Sequence, residues 1–353
     1  MKENFAAFHR WFEGARRQFP WRQEGLTPYA VLVSEMMLQQ TRAEVVVPYF
    51  SRWMQQFPTV EKLASASKEE VIKAWEGLGY YKRAFSLWQM AQRIAWDKKG
   101  VFPSTYEELL EIPGIGSYTA AALMSFAFHK KAAAVDGNVM RVVARLFGID
   151  DEVEKTAVKK EITRLALDLL PEEKPWVFME GLIELGALVC KKNPTCSICP
   201  FVSMCKAHAL NLQRDIPKKR VKKKVEVLIR DVCIFHNQGC ILVRKVPEAE
   251  VMAHLYEFPY QTRENGSKFS LEDGLFRDLG IEKTVCRGVL ETVQHAFTRF
   301  RVRLIPSFWE CSSMPVKEGF YWYPIEKLSS LPFSSGHRKI LQQVQEILWL
   351  DPV

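Results

Sequence analysis

The sequence predicts a multidomain chain in which an all-α domain is followed by an α+β domain. Three observations support this fold class. The chain has 353 residues, which is enough for two domains that each bury their own core. Up to about residue 210, apolar residues recur three to four positions apart, as they do on amphipathic helices. Beyond residue 225, alternating, β-branched and aromatic segments favour strands.

The helical periodicity runs through five long segments before residue 210. We expect this part to be almost entirely α-helical, because each segment can bury one apolar stripe. In chain order the segments are NFAAFHRWFEGARRQF, PYAVLVSEMMLQQTRAEVVVPYFSRWMQQF, KEEVIKAWEGL, FSLWQMAQRIAW and VKKEITRLALDLL.

A proline and six basic residues end the helical pattern, and the basic residues all lie between positions 218 and 224. Such a segment is typical of an exposed linker. It could contact phosphates or be an ordinary solvated run of charge, and both interpretations stay open. We therefore expect a helical domain over 1–215, a basic linker over 216–224 and a mixed domain over 225–353.

The mixed domain should contain both strands and helices. Its strand-like segments are VEVLIRDVCIF, GCILVRKV, FRVRLIPSFWE and FYWYPI, and its helical segments are SLEDGLFRDL and HRKILQQVQEIL.

The overall charge favours a polyanionic partner. Lysine and arginine together number 49 against 41 for aspartate and glutamate, a formal net charge of +8. Nucleic acid fits this charge, and so does an ordinary basic enzyme. The charged N-terminus does not resemble a signal peptide, and no apolar run is long enough for a bilayer. We expect a cytoplasmic chain with no membrane partner, whose eight cysteines stay reduced.

The segment PSTYEELLEIPGIGSYTAAALMSFAF predicts two short helices joined by a tight turn. Ser104 and Glu107 have the spacing of a capping box, and Pro113 should end the first helix. Gly114 and Gly116 allow a sharp turn and a close approach to a ligand, such as a DNA phosphate before the second helix. An ordinary glycine turn in an α-hairpin is the alternative.

Four of the eight cysteines lie within sixteen residues, in the pattern C-x5-C-x2-C-x5-C. Soft thiolate ligands at this spacing favour a metal centre over disulfides. Coordination chemistry alone leaves an iron–sulfur cluster and a four-cysteine zinc site equally open. The ligand candidates are Cys190, Cys196, Cys199 and Cys205.

Three motifs, SEMMLQQTR, IPGIGSYTA and VDGNVMRV, together with the clustered cysteines resemble the helix-hairpin-helix DNA glycosylase superfamily, and within it the adenine DNA glycosylase (MutY) family. The region after residue 225 is similar to that family's Nudix-like (MutT-like) lesion-recognition domain. The resemblance implies one 4Fe-4S cluster on the four cysteines of loop 190–205, rather than zinc. Five residues separate the first two cysteines here, where the family usually has six.

The resemblance implies base-excision repair, with hydrolysis of the N-glycosidic bond of adenine mispaired with 8-oxoguanine or guanine. Glu35 would protonate the leaving base, and Asp136 would stabilise the positive sugar, with Tyr118 and Asn138 as supporting polar groups. From the residues alone, Glu35 could equally be a surface or capping glutamate and Asp136 a helix N-cap.

Two positions bear on strand cleavage. Tyr118 stands where the endonuclease III branch has a Schiff-base lysine, and Met140 stands where some adenine glycosylases carry a lysine. We therefore predict a monofunctional glycosylase. The alternatives are a bifunctional, endonuclease III-like glycosylase for pyrimidine lesions and a non-catalytic iron–sulfur DNA-binding protein.

The resemblance also implies contacts with the bases. It assigns the adenine pocket to Trp21, Arg22, Leu38, Glu180 and Ile183. It assigns contacts inside the DNA helix near the lesion to Gln40, Leu78 and Tyr80. Core packing is the alternative for the aromatic and leucine side chains.

The base opposite adenine would be read by Phe297, Thr298 and Arg299, where the family usually has Phe-Ser-His. HLYEFPYQTREN resembles the start of a nucleotide-pyrophosphatase motif but lacks its run of glutamates, so pyrophosphate hydrolysis is not expected. The implied partner is double-stranded DNA with an A:8-oxoguanine or A:G mispair, bound by a monomer in the bacterial cytoplasm at the nucleoid.

Overall fold

The structure is a computed structural model that describes residues 2–23, 25–218, 225–263, 271–297 and 300–350. The chain divides into two compact units. The first comprises Met1–Ser65 and Ser86–Val221, and the second comprises Ala66–Phe85 and Lys222–Val353. Positions 219–224 of the expected linker lie outside the described residues. The domain boundaries expected from the sequence stay predictions.

Helices make up nearly all the regular structure of the first 210 residues, as predicted. They are α1 (Lys2–Ala15), α2 (Pro28–Leu38), α3 (Ala43–Gln56), α4 (Val60–Ala64), α5 (Lys68–Ala74), α6 (Lys82–Gln92), α7 (Tyr106–Leu110), α8 (Ser117–Ala122), α9 (Gly137–Phe147), α10 (Thr156–Leu169), α11 (Pro175–Leu188) and α12 (Lys206–Ala209). A 3-10 turn (Pro20–Arg22) precedes α2, and π turns (Arg93–Asp97, Leu123–Ala127) follow α6 and α8. None of these helices, nor any other in the described part of the chain, is long and apolar enough to cross a bilayer.

The predicted α-hairpin is formed by α7 and α8. Its first helix is capped one residue later than predicted: the N-cap is Thr105, whose Oγ1 accepts a hydrogen bond from the Glu108 amide at 3.4 Å. The capping box at Ser104 and Glu107 is therefore wrong, because the same S/T-x-x-E spacing recurs one position along, where the backbone is extended. In the turn, Gly114 has φ +99°, a conformation that favours glycine.

The core of the first unit joins α1 to α9, α10 and α11 through apolar side chains that include Phe8, Val139, Val142, Ile162, Met179, Leu182 and Leu185. α9 and α11 approach each other closely at Gly186, where an added Cβ would lie 2.6 Å from the Cβ of Asn138. This approach sets the start of α9, which carries Asp136 and Asn138, directly against α11.

The second unit contains a mixed sheet with the strand order β3-β2-β1-β7-β5; in addition, β4 pairs with β1, β6 with β7 and β8 with β2. The strands are β1 (Glu226–Asn237), β2 (Cys240–Lys245), β3 (Tyr256–Glu257), β4 (Tyr260–Thr262), β5 (Thr284–Val289), β6 (Val293–Phe297), β7 (Phe300–Cys311) and β8 (Phe320–Pro324). β1 and β7 are parallel, and the other pairs are antiparallel. The prediction of a strand-rich second domain is confirmed.

Helices cover the sheet of the second unit. They are a π turn (Glu272–Phe276) with α13 (Arg277–Leu279), α14 (Ile325–Leu328) and α15 (Ser335–Leu350). The segment Ala66–Phe85 is held in the same unit by polar contacts: Arg338 donates to Glu76 Oε1 at 2.6 Å, and Lys73 donates to the Ser329 carbonyl at 2.7 Å.

Candidate active site

The first unit contains a cleft of about 1630 Å³. It is larger than a typical small-ligand pocket of roughly 300–1,000 Å³. Its walls come from the turn before α2, from α2, from the α7–α8 hairpin, from the start of α9 and from α11. Twelve residues predicted from the sequence line it: Trp21, Arg22, Glu35, Leu38, Gln40, Gly114, Gly116, Tyr118, Asp136, Asn138, Glu180 and Ile183.

Glu35 lies on α2, a helix that is buried on nearly all sides. Its side chain is therefore brought into an apolar setting, and the residue is only 6% exposed. The Tyr118 hydroxyl donates a hydrogen bond to Glu35 Oε2 at 2.7 Å. Burial raises the pKa of Glu35 to about 7; the Tyr118 bond lowers it, the charge of Asp136 raises it and the charge of Arg22 lowers it. At neutral pH this carboxyl group can hold a proton and donate it.

Asp136 caps α9 and lines the cleft at the same time. Its Oδ1 accepts hydrogen bonds from the amides of Asn138 at 2.9 Å and Val139 at 2.8 Å, and its Oδ2 accepts from Asn138 Nδ2 at 2.8 Å. Burial holds the pKa of Asp136 above its ordinary value, although these three hydrogen bonds and the charge of Arg141 each lower it. Because all three bonds have the carboxylate as acceptor, they favour the ionised form.

Tyr118 is hydrogen-bonded to Glu35, and Asn138 is hydrogen-bonded to Asp136. Burial, reinforced by the charge of Glu35, raises the pKa of Tyr118 well above its ordinary value, so its hydroxyl stays protonated and continues to donate. Asn138 Oδ1 accepts a hydrogen bond from Arg141 Nη2 at 2.9 Å. Arg141 in turn donates to the carbonyl of Cys190 at 2.7 Å.

Arginine and glutamate side chains form a network along one side of the cleft. Arg22 Nε lies 2.8 Å from Glu180 Oε1, and Arg22 Nη2 lies 2.8 Å from Glu184 Oε1. Arg17 donates to both oxygens of Glu184, at 2.8 and 3.0 Å. The network members are Arg16, Arg17, Arg22, Glu44, Glu180 and Glu184.

Sequence reasoning missed Glu184 and Arg17 in this network. A signal for Glu184 was present, since it follows Glu180 by four positions in an otherwise apolar helix. That spacing puts both carboxylates on one face, where burial requires cationic partners.

The predicted adenine-pocket residues combine packing with exposure to the cleft. Trp21 is 8% exposed and stacks on Phe19 with ring centroids 4.9 Å apart, and its edge meets Phe50. Trp21 therefore packs in the core and also lines the cleft. Leu38 and Ile183 are partly buried and add apolar surface to the same cleft.

The residues predicted to contact DNA fall into both units. Gln40 has φ +59° in the turn after α2 and lines the cleft of the first unit. Leu78 and Tyr80 belong to the second unit, where Leu78 is 6% exposed and Tyr80 is 49% exposed. Phe297 ends β6 in the second unit and contacts the ring of Phe300. Thr298 and Arg299 lie outside the described residues.

The four clustered cysteines follow α11 in a segment with two 3-10 turns (Cys196–Ile198, Val202–Met204). All four are partly buried. Burial raises the pKa of Cys199 to about 11; the Phe201 amide lowers it, and the charges of Cys190, Cys205 and Cys196 raise it further. The thiols are therefore close enough to affect one another. Within the described ranges, no three His, Cys, Asp or Glu side chains are placed to share one metal ion.

Two family models match the chain. Residues 33–167 match the HhH-GPD superfamily base excision DNA repair protein, and residues 231–343 match the NUDIX domain. Adenine DNA glycosylase of Arabidopsis thaliana is 32% identical, covering 94% of this chain and 62% of the relative. The Mus musculus enzyme of the same name is 33% identical, and the match covers 95% of this chain and 76% of that enzyme. That of Mycolicibacterium smegmatis is 38% identical, covering 60% and 72%.

Solved structures resemble the chain over little more than half its length. A thermostable thymine-DNA glycosylase has a TM-score of 0.53 and 30% identity, covering 59% of this chain and 98% of that one. A trapped endonuclease III–DNA covalent intermediate has a TM-score of 0.51 and 22% identity, covering 60% and 96%. The second match supports the fold alone.

Proposed function

The chain belongs to the adenine DNA glycosylase family, and on this premise we propose that it hydrolyses the N-glycosidic bond of adenine mispaired with 8-oxoguanine or guanine in double-stranded DNA. One observation carries the proposal: Glu35 and Asp136 line the same cleft. Glu35 is buried and accepts a hydrogen bond from Tyr118, whereas the carboxylate of Asp136 accepts hydrogen bonds from backbone amides. A pair of carboxyl groups in opposite protonation states is what cleavage of a glycosidic bond requires.

The two carboxyl groups divide the reaction between them. Adenine leaves readily only as a neutral base, so Glu35 donates its proton to a ring nitrogen while the glycosidic bond breaks. The sugar then carries positive charge, which the ionised Asp136 stabilises electrostatically. Water forms the new bond to the sugar and gives up a proton, which restores the protonated form of Glu35. Tyr118 keeps Glu35 oriented throughout by its 2.7 Å hydrogen bond.

Adenine reaches these groups only after it is flipped out of the duplex. We propose that Trp21, Leu38 and Ile183 contact its ring faces, and that Arg22 and Glu180 contact its polar edge. The hairpin glycines Gly114 and Gly116 would approach the phosphate backbone. We propose that Gln40 of the first unit contacts the DNA helix near the lesion, and we propose the same of Leu78 and Tyr80 of the second unit.

For the base opposite adenine, the candidate contacts lie in the second unit. They are Phe297, Thr298 and Arg299, of which Phe297 is described.

We further propose that one chain acts alone at the bacterial nucleoid. Light scattering of the protein with an equimolar lesion duplex should then give the mass of one chain per duplex, and a two-chain complex would contradict this.

The proposed function is tested by base release from duplexes that carry adenine opposite 8-oxoguanine, guanine or thymine. We expect release from the first two and little from the third. Because Tyr118 carries no amine, borohydride should trap no covalent complex. Efficient trapping would instead support the bifunctional alternative, and tight DNA binding without release of any base would support the non-catalytic one.

We also propose that Cys190, Cys196, Cys199 and Cys205 hold one 4Fe-4S cluster. A cubane distributes its ligands over four irons, so its thiolates need not converge on one point as they do around zinc. The four cysteines of the segment are all partly buried, and the charges of the other three raise the pKa of Cys199, which supports a shared centre. When bound, the cluster would supply four metal–thiolate bonds that cross-link the segment 190–205.

The cluster proposal predicts a brown protein with broad visible absorption and about four irons and four sulfides per chain. Cys199→Ser should lose this absorption, whereas Cys286→Ser, at an exposed cysteine outside the segment, should keep it. One zinc per chain without iron, in protein purified under anaerobic conditions, would contradict the proposal.

A further inference from the structure

Residues 77–80 of the second unit form a loop, the Tyr80 loop, that carries two of the residues proposed above to contact DNA, Leu78 and Tyr80. Three residues of the loop have positive φ: Gly77 at +94°, Gly79 at +76° and Tyr80 at +50°. A tyrosine rarely adopts this conformation, which persists only where the surrounding structure holds it. Contacts around the loop must therefore keep Tyr80 in place.

Residues on either side of the Tyr80 loop hold its backbone. Arg83 Nη2 donates to the carbonyls of Leu78 at 3.3 Å and Gly79 at 3.0 Å, and the Arg83 guanidinium lies 5.4 Å from the centre of the Tyr80 ring. Trp75 Nε1 donates to the Gly79 carbonyl at 3.0 Å. Both Arg83 and Trp75 are buried. These bonds tie the loop to its own flanks, so its position depends on how the flanks are held.

Glu76, the residue directly before the loop, is anchored by the C-terminal part of the second unit. Its Oε1 accepts a hydrogen bond from Arg338 Nε at 2.6 Å, and its Oε2 accepts one from Arg338 Nη2 at 3.0 Å. Two parallel bonds of this kind fix direction as well as distance. The Phe333 amide donates to Glu76 Oε1 at 3.2 Å, and Lys73 donates to Oε2 at 2.7 Å. Arg338 is itself held by a hydrogen bond to the Leu331 carbonyl.

We propose that Glu76 and Arg338 are positioning residues that hold the Tyr80 loop in the conformation in which it contacts DNA. Arg338 belongs to α15, so the C-terminal helix of the second unit acts on this contact through Glu76, from 262 positions away in the sequence. The consequence for DNA rests on the proposed function, in which Tyr80 contacts the duplex near the lesion.

Hydrogen–deuterium exchange of the full-length protein without DNA tests the anchor. In Arg338→Met, Lys73 still compensates the charge of Glu76, so the variant should fold. Amides of residues 75–83 should exchange at least about tenfold faster, because the loop opens more often. The buried amides of residues 232–235 in β1 should exchange as in the wild-type protein. An equal rise in both regions, or no rise in the loop, overturns the proposal.

Arg263→Met is the matched control for this experiment. Arg263 forms a similar two-point pair in the second unit, donating to both oxygens of Asp231 at 2.7 Å, but Asp231 lies on β1. This variant should leave exchange in the Tyr80 loop unchanged, and loop exchange as fast as in Arg338→Met would contradict the proposal. If Arg338→Met does not fold, Glu76→Gln decides from the other side of the pair, because it keeps the shape of the side chain and removes its charge.

Affinity for a duplex with adenine opposite 8-oxoguanine tests the consequence for DNA, in a Glu35→Gln background that should bind without releasing the base. Tyr80→Ala should weaken binding about tenfold, as when an aromatic contact with a base is lost. Arg338→Met should weaken it about fivefold if the loop keeps its conformation about a fifth of the time.

The combination of the two substitutions is decisive. Once Tyr80 is alanine, Arg338→Met should change the affinity by less than about twofold, because the side chain that it positions is gone. A similar loss in both backgrounds would mean that Arg338 acts on binding independently of Tyr80, and it would overturn the proposal.

These measurements separate the inference from the proposed function. Exchange is measured without DNA, so it decides the anchor even if the wild-type protein releases no adenine, which would defeat the proposed function instead. Faster loop exchange in Arg338→Met with unchanged affinity for the duplex would overturn the inference alone. Unchanged affinity in Tyr80→Ala would defeat both the DNA contact of Tyr80 and its positioning by Arg338.

Discussion

Replacing Glu35 with glutamine is expected to slow adenine release by a factor of about 10²–10⁴, the usual contribution of a general acid. Glutamine has nearly the same shape and its oxygen can still accept the 2.7 Å hydrogen bond of Tyr118. The fold and the affinity for DNA should therefore change little, and the loss should appear in the single-turnover rate at saturating enzyme.

The pH profile provides the control for this prediction. In the wild-type protein the rate should fall as pH rises through about 7, where Glu35 loses its proton. In Glu35→Gln the remaining slow release should lack this fall. A rate within tenfold of the wild-type value, or an unchanged profile, would show that another group protonates the base.

The same group links stability to pH. Because the pKa of Glu35 in the folded protein, about 7, lies above its ordinary value of 4.5, the folded state binds more protons between these two values. The contribution of Glu35 to the free energy of unfolding is therefore largest at low pH and falls as pH rises from about 4.5 to about 7. Glu35→Gln should remove this part of the pH dependence.

The periodicity of apolar residues in the sequence was sufficient to predict the long helices and strands of the fold. α1, α3 and α10 each carry one apolar stripe, and β1 and β7 are long strands near the centre of the sheet that bury apolar side chains between polar ones. β5 was not predicted, because most of its residues are exposed and it shows no alternation of apolar and polar side chains. Its place is set by pairing with β7, which local sequence does not encode.

The candidate site was predictable only through family resemblance. Glu35 has three apolar successors in the sequence, but a surface helix can have them too. Glu35 differs from a surface glutamate because every residue of α2 from Tyr29 to Met37 is buried. This burial comes from the elements packed around α2 and cannot be derived from the sequence of α2 itself. The partners of Glu184 come from 162 and 167 positions away, so no spacing rule could supply them.

Replacing Asp136 with asparagine is expected to separate its two roles, as the cap of α9 and as the charge beside the sugar. Asparagine is as good an N-cap as aspartate, so its side-chain oxygen can keep the bonds from the Asn138 and Val139 amides. The bond from Asn138 Nδ2 loses its acceptor, but Asn138 lines the open cleft, where water can replace that acceptor. The free energy of unfolding should stay within about 0.5 kcal/mol of the wild-type value, a change typical of a conserved cap. Adenine release should nevertheless slow about 10²–10³-fold, as when an electrostatic contact to a transition state is lost.

Asp136→Ala is the comparison that makes this test decisive. Alanine loses both the cap and the charge, so it should lower the free energy of unfolding by about 1 kcal/mol in urea titrations. Its rate of release should be no higher than that of Asp136→Asn. If Asp136→Asn instead had both the stability and the release rate of the wild-type protein, the carboxylate charge would be unnecessary. Asp136 would then serve only as a cap. Slow release with wild-type stability in Asp136→Asn requires the charge itself, since the helix it caps is then intact.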